Sequence, residues 1–295
     1  MSSLFCRHNR LTANCSICSR ELDAELKAKA PPRATRPPTT RRTGAATSTR
    51  RSPGVVTRRV ARAADDGYRN ALVPGLRATT DAERLAAALA WADERLEFPG
   101  PHPAVAEEPE PEEAIWLAFL LALAGPDAGE LHAAIVAARP GWSSGELPEI
   151  PGADARAVPA YRAWAQRSGS QAAAFLGDAG WSPERRFGRI FERLALPGMN
   201  RTARYELLLT LGGAERCAVV ADGLHLGKED DETTVAAKRL LVSGDRMLLE
   251  RRAAELARGC GVRVGALDRA LAVWGRGDAP AAEAPDGMRA ALGLG

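Results

Sequence analysis

The stretch Leu196–Ala203 constrains the fold of this chain more than any other segment. It reads Leu-Pro-Gly-Met-Asn-Arg-Thr-Ala and lies between two segments with helical periodicity. Proline and glycine end one helix, and the Thr-Ala pair opens the next helix a few residues later. Alanine and leucine dominate the chain and aromatic residues make up only 5% of it, which favours helices over sheet. The sequence therefore predicts an all-α fold containing a helix-hairpin-helix.

A helix-hairpin-helix typically binds the DNA backbone rather than reading bases. Its tight turn presents free backbone N–H groups at the N-terminus of the second helix, where the helix dipole already favours a phosphate. We therefore expect a DNA-binding surface here. The residues predicted to form it are Pro197, Gly198, Met199, Asn200, Arg201 and Thr202.

Helical periodicity recurs along most of the chain. The predicted helices cover 81–96, 114–124, 127–138, 159–175, 183–195, 201–211, 231–241, 245–258 and 264–274. The longest apolar run, Ala114–Ala124, is shorter than the 18 or so residues that a membrane span requires. The N-terminus carries a Cys/His cluster rather than a signal-peptide pattern. We therefore expect no membrane partner and a cytoplasmic location.

The first 20 residues contain a second motif, in which Cys6 and His8 precede Cys15 and Cys18. Zinc is bound in a tetrahedron by four sulfur or nitrogen ligands, and two close pairs joined by a short loop can supply them. In a reducing compartment such cysteines are metal ligands rather than disulfides. The sequence predicts a structural zinc knuckle over residues 1–25, with a coincidental cluster as the alternative. The isolated Cys217 and Cys260 are expected to be buried small apolar residues.

Residues 26–64 form the most basic segment of the chain. They include 11 Lys and Arg and no acidic residue, although the net charge of the whole chain is only +3. Large apolar side chains are so few that burial does not offset the entropy of ordering, which predicts a disordered linker. Such a segment suits counterion-releasing contact with DNA phosphates, with a solvated linker as the alternative. The helical domain is expected over 65–275, followed by a flexible tail rich in Ala, Pro and Gly over 276–295.

Five parts of the sequence carry a family resemblance. They are the N-terminal Cys/His cluster, Leu72–Arg77, Leu196–Gly198 with Ala203–Leu208, Leu224–Gly227 and Thr233–Arg239. Together they resemble the third clade of the alpha-glutamyl/putrescinyl thymine pyrophosphorylase family. More broadly, the segment Phe187–Leu211 followed by Asp222 resembles the helix-hairpin-helix DNA glycosylase superfamily. The resemblance covers 65–275 and the knuckle. It implies a glycosylase-like helical domain that hypermodifies DNA, replacing the pyrophosphate of activated 5-hydroxymethyluracil with an amine or amino acid.

The resemblance places the catalytic carboxylate at Asp222, directly after the apolar run Val219–Ala221. An enzyme that acts on a base in duplex DNA must extrude the nucleotide into a pocket. Asp222 would there deprotonate an attacking amine or stabilise cationic character at the departing methylene, and His225 would assist in proton transfer. The residues expected to hold the leaving pyrophosphate are Lys228, Lys238 and Arg239.

The resemblance also implies partners. These are double-stranded DNA, with phage DNA among the candidates, an amine or amino-acid co-substrate, and a kinase that activates 5-hydroxymethyluracil in DNA.

The hairpin departs from the glycosylase pattern at two positions. Asn200 replaces the second glycine of Gly-x-Gly, and asparagine tolerates the left-handed conformation better than most residues. Arg201 occupies the position of the lysine nucleophile of lyase-type members, and a guanidinium does not form a Schiff base. The alternatives are a plain DNA glycosylase and a DNA-binding module without catalysis. In the latter case Asp222 is a cap or turn residue and His225 is structural.

Overall fold

The computed structural model describes residues 63–227, 231–278 and 280–295, and in these ranges all regular secondary structure is α-helical. The helices are α1 (Thr79–Glu94), α2 (Pro103–Glu107), α3 (Pro111–Ala124), α4 (Gly129–Ala138), α5 (Ala157–Arg167), α6 (Gln171–Leu176), α7 (Pro183–Arg193), α8 (Arg201–Gly213), α9 (Glu232–Leu241), α10 (Arg246–Cys260), α11 (Val264–Arg276) and α12 (Asp286–Ala291). The predicted all-α class is confirmed for this part of the chain. The zinc knuckle predicted over 1–25 lies outside the described residues, as does nearly all of the basic linker predicted over 26–64.

The helix α3 is buried in the core. Every residue from Ala114 to Ala122 is buried, as expected of a helix that is apolar all round. The helix α8 packs along α3, and elsewhere α11 packs against both α1 and α9. Beside α3, the ring of Tyr161 stacks on Phe119 with their centroids 3.8 Å apart. No helix in the described ranges is both long enough and apolar enough to span a lipid bilayer.

Polar N-cap residues begin several of the helices, including α7 and α9. Ser182 and Asp231 accept hydrogen bonds from backbone N–H groups in the first turns of α7 and α9, as the capping preferences of these residues predict. The single helix predicted over 159–175 is instead two helices. The chain breaks there because Gly169 takes a left-handed φ of 87° and Ser170 caps the start of α6.

The structure corrects the expectation of a flexible tail over 276–295. This segment contains α12, which packs against α10. Met288 and Leu292 are buried in the core, and the Leu292 carbonyl accepts a hydrogen bond from the Tyr68 hydroxyl. Composition alone does not reveal this packing, because only a few apolar side chains on a short helix are responsible for it.

Candidate active site

The segment predicted to form the hairpin contains the helices α7 and α8 and the turn 194–200 between them; we call this segment the hairpin. Gly198 takes a φ of +83°, and a Cβ built on it would lie 2.6 Å from the backbone nitrogen of Ala157. Only glycine therefore fits at this position. Asn200 does not take the left-handed conformation that was expected of it, since its φ is −74°. Its Oδ1 instead accepts a hydrogen bond from the backbone N–H of Ala203 at 2.8 Å, so Asn200 is the N-cap of α8.

The six residues predicted to contact DNA divide between surface and core. Those on the surface, wholly or in part, are Pro197, Gly198, Asn200 and Thr202. Met199 and Arg201 are buried, so their side chains do not belong to that surface. Among the first N–H groups of α8, that of Ala203 is bonded to the Asn200 side chain, and those of Arg201 and Thr202 have no partner within the helix. The buried Arg201 guanidinium is not available at this surface, and DNA binding by the other residues of the turn stays a prediction.

Arg201 ties α8 to the loop that follows it. Its guanidinium donates hydrogen bonds to the backbone carbonyls of Leu224 and His225 and forms an ion pair with Asp268. A second carboxylate, that of Asp231, lies 3.7 Å away. Burial by itself would lower the pKa of this guanidinium, but Asp268 and Asp231 outweigh burial and raise it. Arg201 thus stays protonated inside the protein, where the carboxylates of Asp268 and Asp231 balance its charge.

The two residues predicted to be catalytic, Asp222 and His225, form a pair in the loop between α8 and α9. The Nε2 atom of His225 lies 2.6 Å from Oδ1 of Asp222. The imidazole is 22% exposed and the carboxylate 39%, so both can be reached from solvent. The His225 ring also packs against Phe191, with ring centroids 4.6 Å apart. A carboxylate bonded to an accessible imidazole is an arrangement suited to proton transfer.

Two residues that the sequence analysis did not single out shape this pair. Gly188 of α7 lies against it, where the absence of a Cβ leaves room for both side chains. Glu250 of α10 accepts hydrogen bonds from the backbone N–H groups of Leu224 and Leu226 at 2.8 and 2.7 Å. A glycine and a glutamate inside helices are ordinary in sequence, so no local signal identifies them. Their roles depend on contacts between segments far apart in the chain.

An apolar cavity of about 200 Å³ lies beside the residues that lead to Asp222. Ala221 lines it, and so does Phe187, whose ring centroid is 5.6 Å from that of His225. Its other walls are mostly apolar and include Leu96, Leu209, Val219 and Gly265, with the charged Arg263 among them. The cavity is thus lined by the residue that precedes Asp222 and by a ring that packs near His225, whereas Asp222 and His225 themselves are not among its walls.

The structure does not show the three residues expected to hold a leaving pyrophosphate forming one cluster, in contrast to the Asp222–His225 pair. Lys228 lies outside the described residues. Lys238 and Arg239 lie in the last turn of α9, where the Arg239 guanidinium sits 4.8 Å from the centre of the Trp274 ring. The structure gives Arg239 a packing contact with α11, and pyrophosphate binding by these residues stays a prediction.

A second ionisable cluster is buried beside α8. Glu206 accepts a hydrogen bond from Arg269 at 2.5 Å and contacts His102 Nε2 at 3.2 Å. The His102 ring meets His132 edge-on, with centroids 4.7 Å apart. Burial would raise the pKa of Glu206, but Arg269 and His102 outweigh burial and lower it. No local sequence pattern reveals this cluster, because its members come from helices and loops that are far apart in the chain.

In the described ranges, no group of three or more His, Cys, Asp or Glu side chains is arranged to hold a metal ion. The predicted zinc ligands, Cys6, His8, Cys15 and Cys18, fall outside those ranges. Comparisons with protein-family models, curated proteins and solved structures find no match to this chain. Its function must therefore be inferred from the residues of the site.

Proposed function

We propose that this protein is a DNA base-modifying enzyme in which Asp222 and His225 carry out general acid–base chemistry. The observation that carries the proposal is the 2.6 Å contact between His225 Nε2 and Asp222 Oδ1. This pair is open to solvent and lies against α7, the first helix of the hairpin. A positioned acid or base typically contributes about 10²- to 10⁴-fold to a reaction rate.

Recognition of double-stranded DNA is supported by the surface of the hairpin. Pro197 and Asn200 are exposed at the turn, next to the N-terminus of α8. Arg185 and Arg193 are exposed on α7. Helix N-termini and arginine side chains are the groups that commonly bind DNA phosphates. The basic segment 26–64 adds a further set of charges suited to the same backbone.

The specific reaction proposed is replacement of pyrophosphate by an amine on activated 5-hydroxymethyluracil, as the sequence resemblance implies. The amine nitrogen forms a bond to the methylene carbon of the base. The bond between that carbon and the pyrophosphate oxygen breaks, and its electron pair leaves with the pyrophosphate. The proton released by the amine passes to the Asp222–His225 pair. A separate kinase would have to activate the base beforehand.

The extruded base needs a space beside the pair. The apolar cavity of about 200 Å³ next to Ala221 and Phe187 is suited to one face of a pyrimidine ring. Ala221 in its wall directly precedes Asp222 in the chain. The cavity therefore supports an enzyme that acts on a single base.

The test is nucleoside mass spectrometry on duplex DNA carrying 5-hydroxymethyluracil pyrophosphate, incubated with the full-length protein and a pool of amines and amino acids. The expected result is a base mass that corresponds to substitution by one of the amines. Loss of the base, leaving an abasic site, would instead identify a glycosylase. Unchanged DNA, in a sample that binds this duplex, would identify a non-catalytic DNA-binding protein.

The site assignment is tested by Asp222→Asn. We expect this variant to lose at least about 10²-fold in rate, because an amide does not accept the proton, while its affinity for DNA stays the same. Asp278→Asn is the matched control, since Asp278 is an exposed carboxylate paired with Arg276. Equal turnover by both variants would contradict the role of Asp222.

A further inference from the structure

We infer that Glu250 is a positioning residue for the Asp222–His225 pair: its carboxylate holds the backbone of His225 in the conformation that brings the imidazole to Asp222. The catalytic consequence of this role rests on the proposed function, whereas the geometry of the loop does not.

The backbone of His225 is in an unfavourable conformation. Its φ is +50°, in the left-handed region that residues with a Cβ rarely adopt because the Cβ crowds the neighbouring carbonyl. Such a conformation persists only where the surrounding structure imposes it. It also sets the direction of the side chain, and here the ring reaches back three residues to Asp222.

Glu250 imposes this conformation from the N–H side of the loop. One carboxylate oxygen accepts the backbone N–H of Leu224 at 2.8 Å, and the other accepts that of Leu226 at 2.7 Å. These two residues flank His225, and both are buried. A single carboxylate therefore bonds the backbone N–H groups on both sides of His225. Each of these is a charge-assisted hydrogen bond, which is stronger than one between neutral groups.

Side chains of α8 donate hydrogen bonds to the backbone carbonyls of the same loop. Arg201 donates to the carbonyls of Leu224 and His225, and the Tyr205 hydroxyl donates to the carbonyl of Gly223 at 2.8 Å. Donors from α8 and an acceptor from α10 thus hold opposite sides of one short segment. Glutamine in place of Glu250 keeps one acceptor oxygen and turns an NH2 group toward the other N–H, so one of the two backbone N–H groups loses its acceptor and the left-handed turn relaxes.

Gly223 provides an independent way to disturb the same carboxylate. A Cβ built on Gly223 would lie 3.0 Å from Oε2 of Glu250, closer than side-chain carbons normally approach an oxygen. Gly223→Ala should therefore displace the Glu250 carboxylate while leaving its charge in place.

The test compares Glu250→Gln with Glu255→Gln in the full-length protein. Glu255 lies on the same helix, exposed and paired with Arg251 at 3.4 Å, so its variant controls for the loss of a helical carboxylate. The probe is the ¹⁵N resonances of the His225 ring, assigned among the four histidines of the chain with His225→Gln. Each background is recorded with and without Asp222→Asn, so that the change caused by Asp222→Asn reports the contact between the two side chains.

In the wild type and in Glu255→Gln, Asp222→Asn should shift the His225 ring resonances. In Glu250→Gln that shift should largely disappear, because the ring no longer rests on Asp222. Ring resonances of Glu250→Gln that match the wild type, with the same response to Asp222→Asn, would overturn the inference. If Glu250→Gln does not fold, the same ring resonances are recorded for Gly223→Ala, and the same loss of response to Asp222→Asn is expected.

Turnover gives the second readout. With the modified duplex, Glu250→Gln should lower kcat by about 10²-fold, the scale expected for a displaced catalytic group, and leave the KM for DNA unchanged. A protein that does not modify DNA would contradict the proposed function alone, because the ring resonances report the positioning role without any substrate.

Discussion

Gly188 of α7 lies directly against the Asp222–His225 pair. A Cβ built on Gly188 would lie 3.1 Å from Oδ2 of Asp222 and 3.6 Å from Cε1 of His225. Glycine within a helix is about 0.5–1 kcal/mol less favourable than alanine. Glycine at position 188 therefore makes α7 slightly less stable, and it leaves the space that the Asp222 and His225 side chains occupy.

Replacing this glycine should separate stability from activity. We expect Gly188→Ala to leave the melting temperature unchanged or slightly raised, because alanine favours the helix. Its kcat should fall about 10-fold or more, because the new methyl group displaces the pair. Gly287→Ala is the matched control, since Gly287 lies in α12 with open space around it. Calorimetry and the nucleoside assay measure the two effects, and a fully active Gly188→Ala would contradict the contact.

Deleting residues 26–64 should weaken DNA binding and make it less dependent on salt. The segment includes 11 Lys and Arg and no acidic residue, and each phosphate contact contributes about −0.9 to the slope of log K against log salt concentration. Fluorescence anisotropy with one duplex at several salt concentrations measures that slope. Deletion that leaves the slope unchanged would show that this segment does not contact the DNA backbone.

His132 should make the fold less stable in mild acid. Burial lowers the pKa of its imidazole below the usual 6.5, so the unfolded chain binds the proton more readily than the folded chain. The stabilising contribution is therefore present above about pH 6.5 and is lost as the pH falls toward the folded pKa. The free energy of unfolding in urea should drop between pH 7 and pH 5, and His132→Gln should reduce that drop. Parallel pH dependence of the variant and the wild type would contradict this assignment.

Cys217 and Cys260 should react slowly with thiol reagents. Burial raises the pKa of each thiol to about 11, from an ordinary value of 9.0, which lowers the thiolate fraction near pH 8 by about 100-fold. Alkylation with iodoacetamide, followed by peptide mass spectrometry, should show this difference between the folded protein and the protein in urea. Equal rates in the two states would mean that burial does not protect these thiols.

Features that depend on neighbours within the chain could be predicted from the sequence. Helical periodicity predicts the all-α class, and it predicts helix starts at 183 and 231 that lie within one residue of the observed starts of α7 and α9. The turn before α8 is local in part, since Pro197 and Gly198 act on the backbone around them, but the close contact that requires glycine at 198 comes from Ala157. Asn200 marks the limit of this reasoning, because asparagine suits both a left-handed turn and an N-cap. The structure assigns it to the N-cap.

The sequence by itself determined the all-α class and the approximate position of most of the longer helices, because those outcomes depend on residues within about four positions of one another. It did not determine the short helices α2 and α12. The tertiary structure alone decided that Arg201 turns inward to Asp268 rather than outward. It also brought Gly188 and Glu250 to the loop that carries His225. These arrangements depend on how helices pack across the core, where distant segments exclude water and must satisfy each other's polar groups.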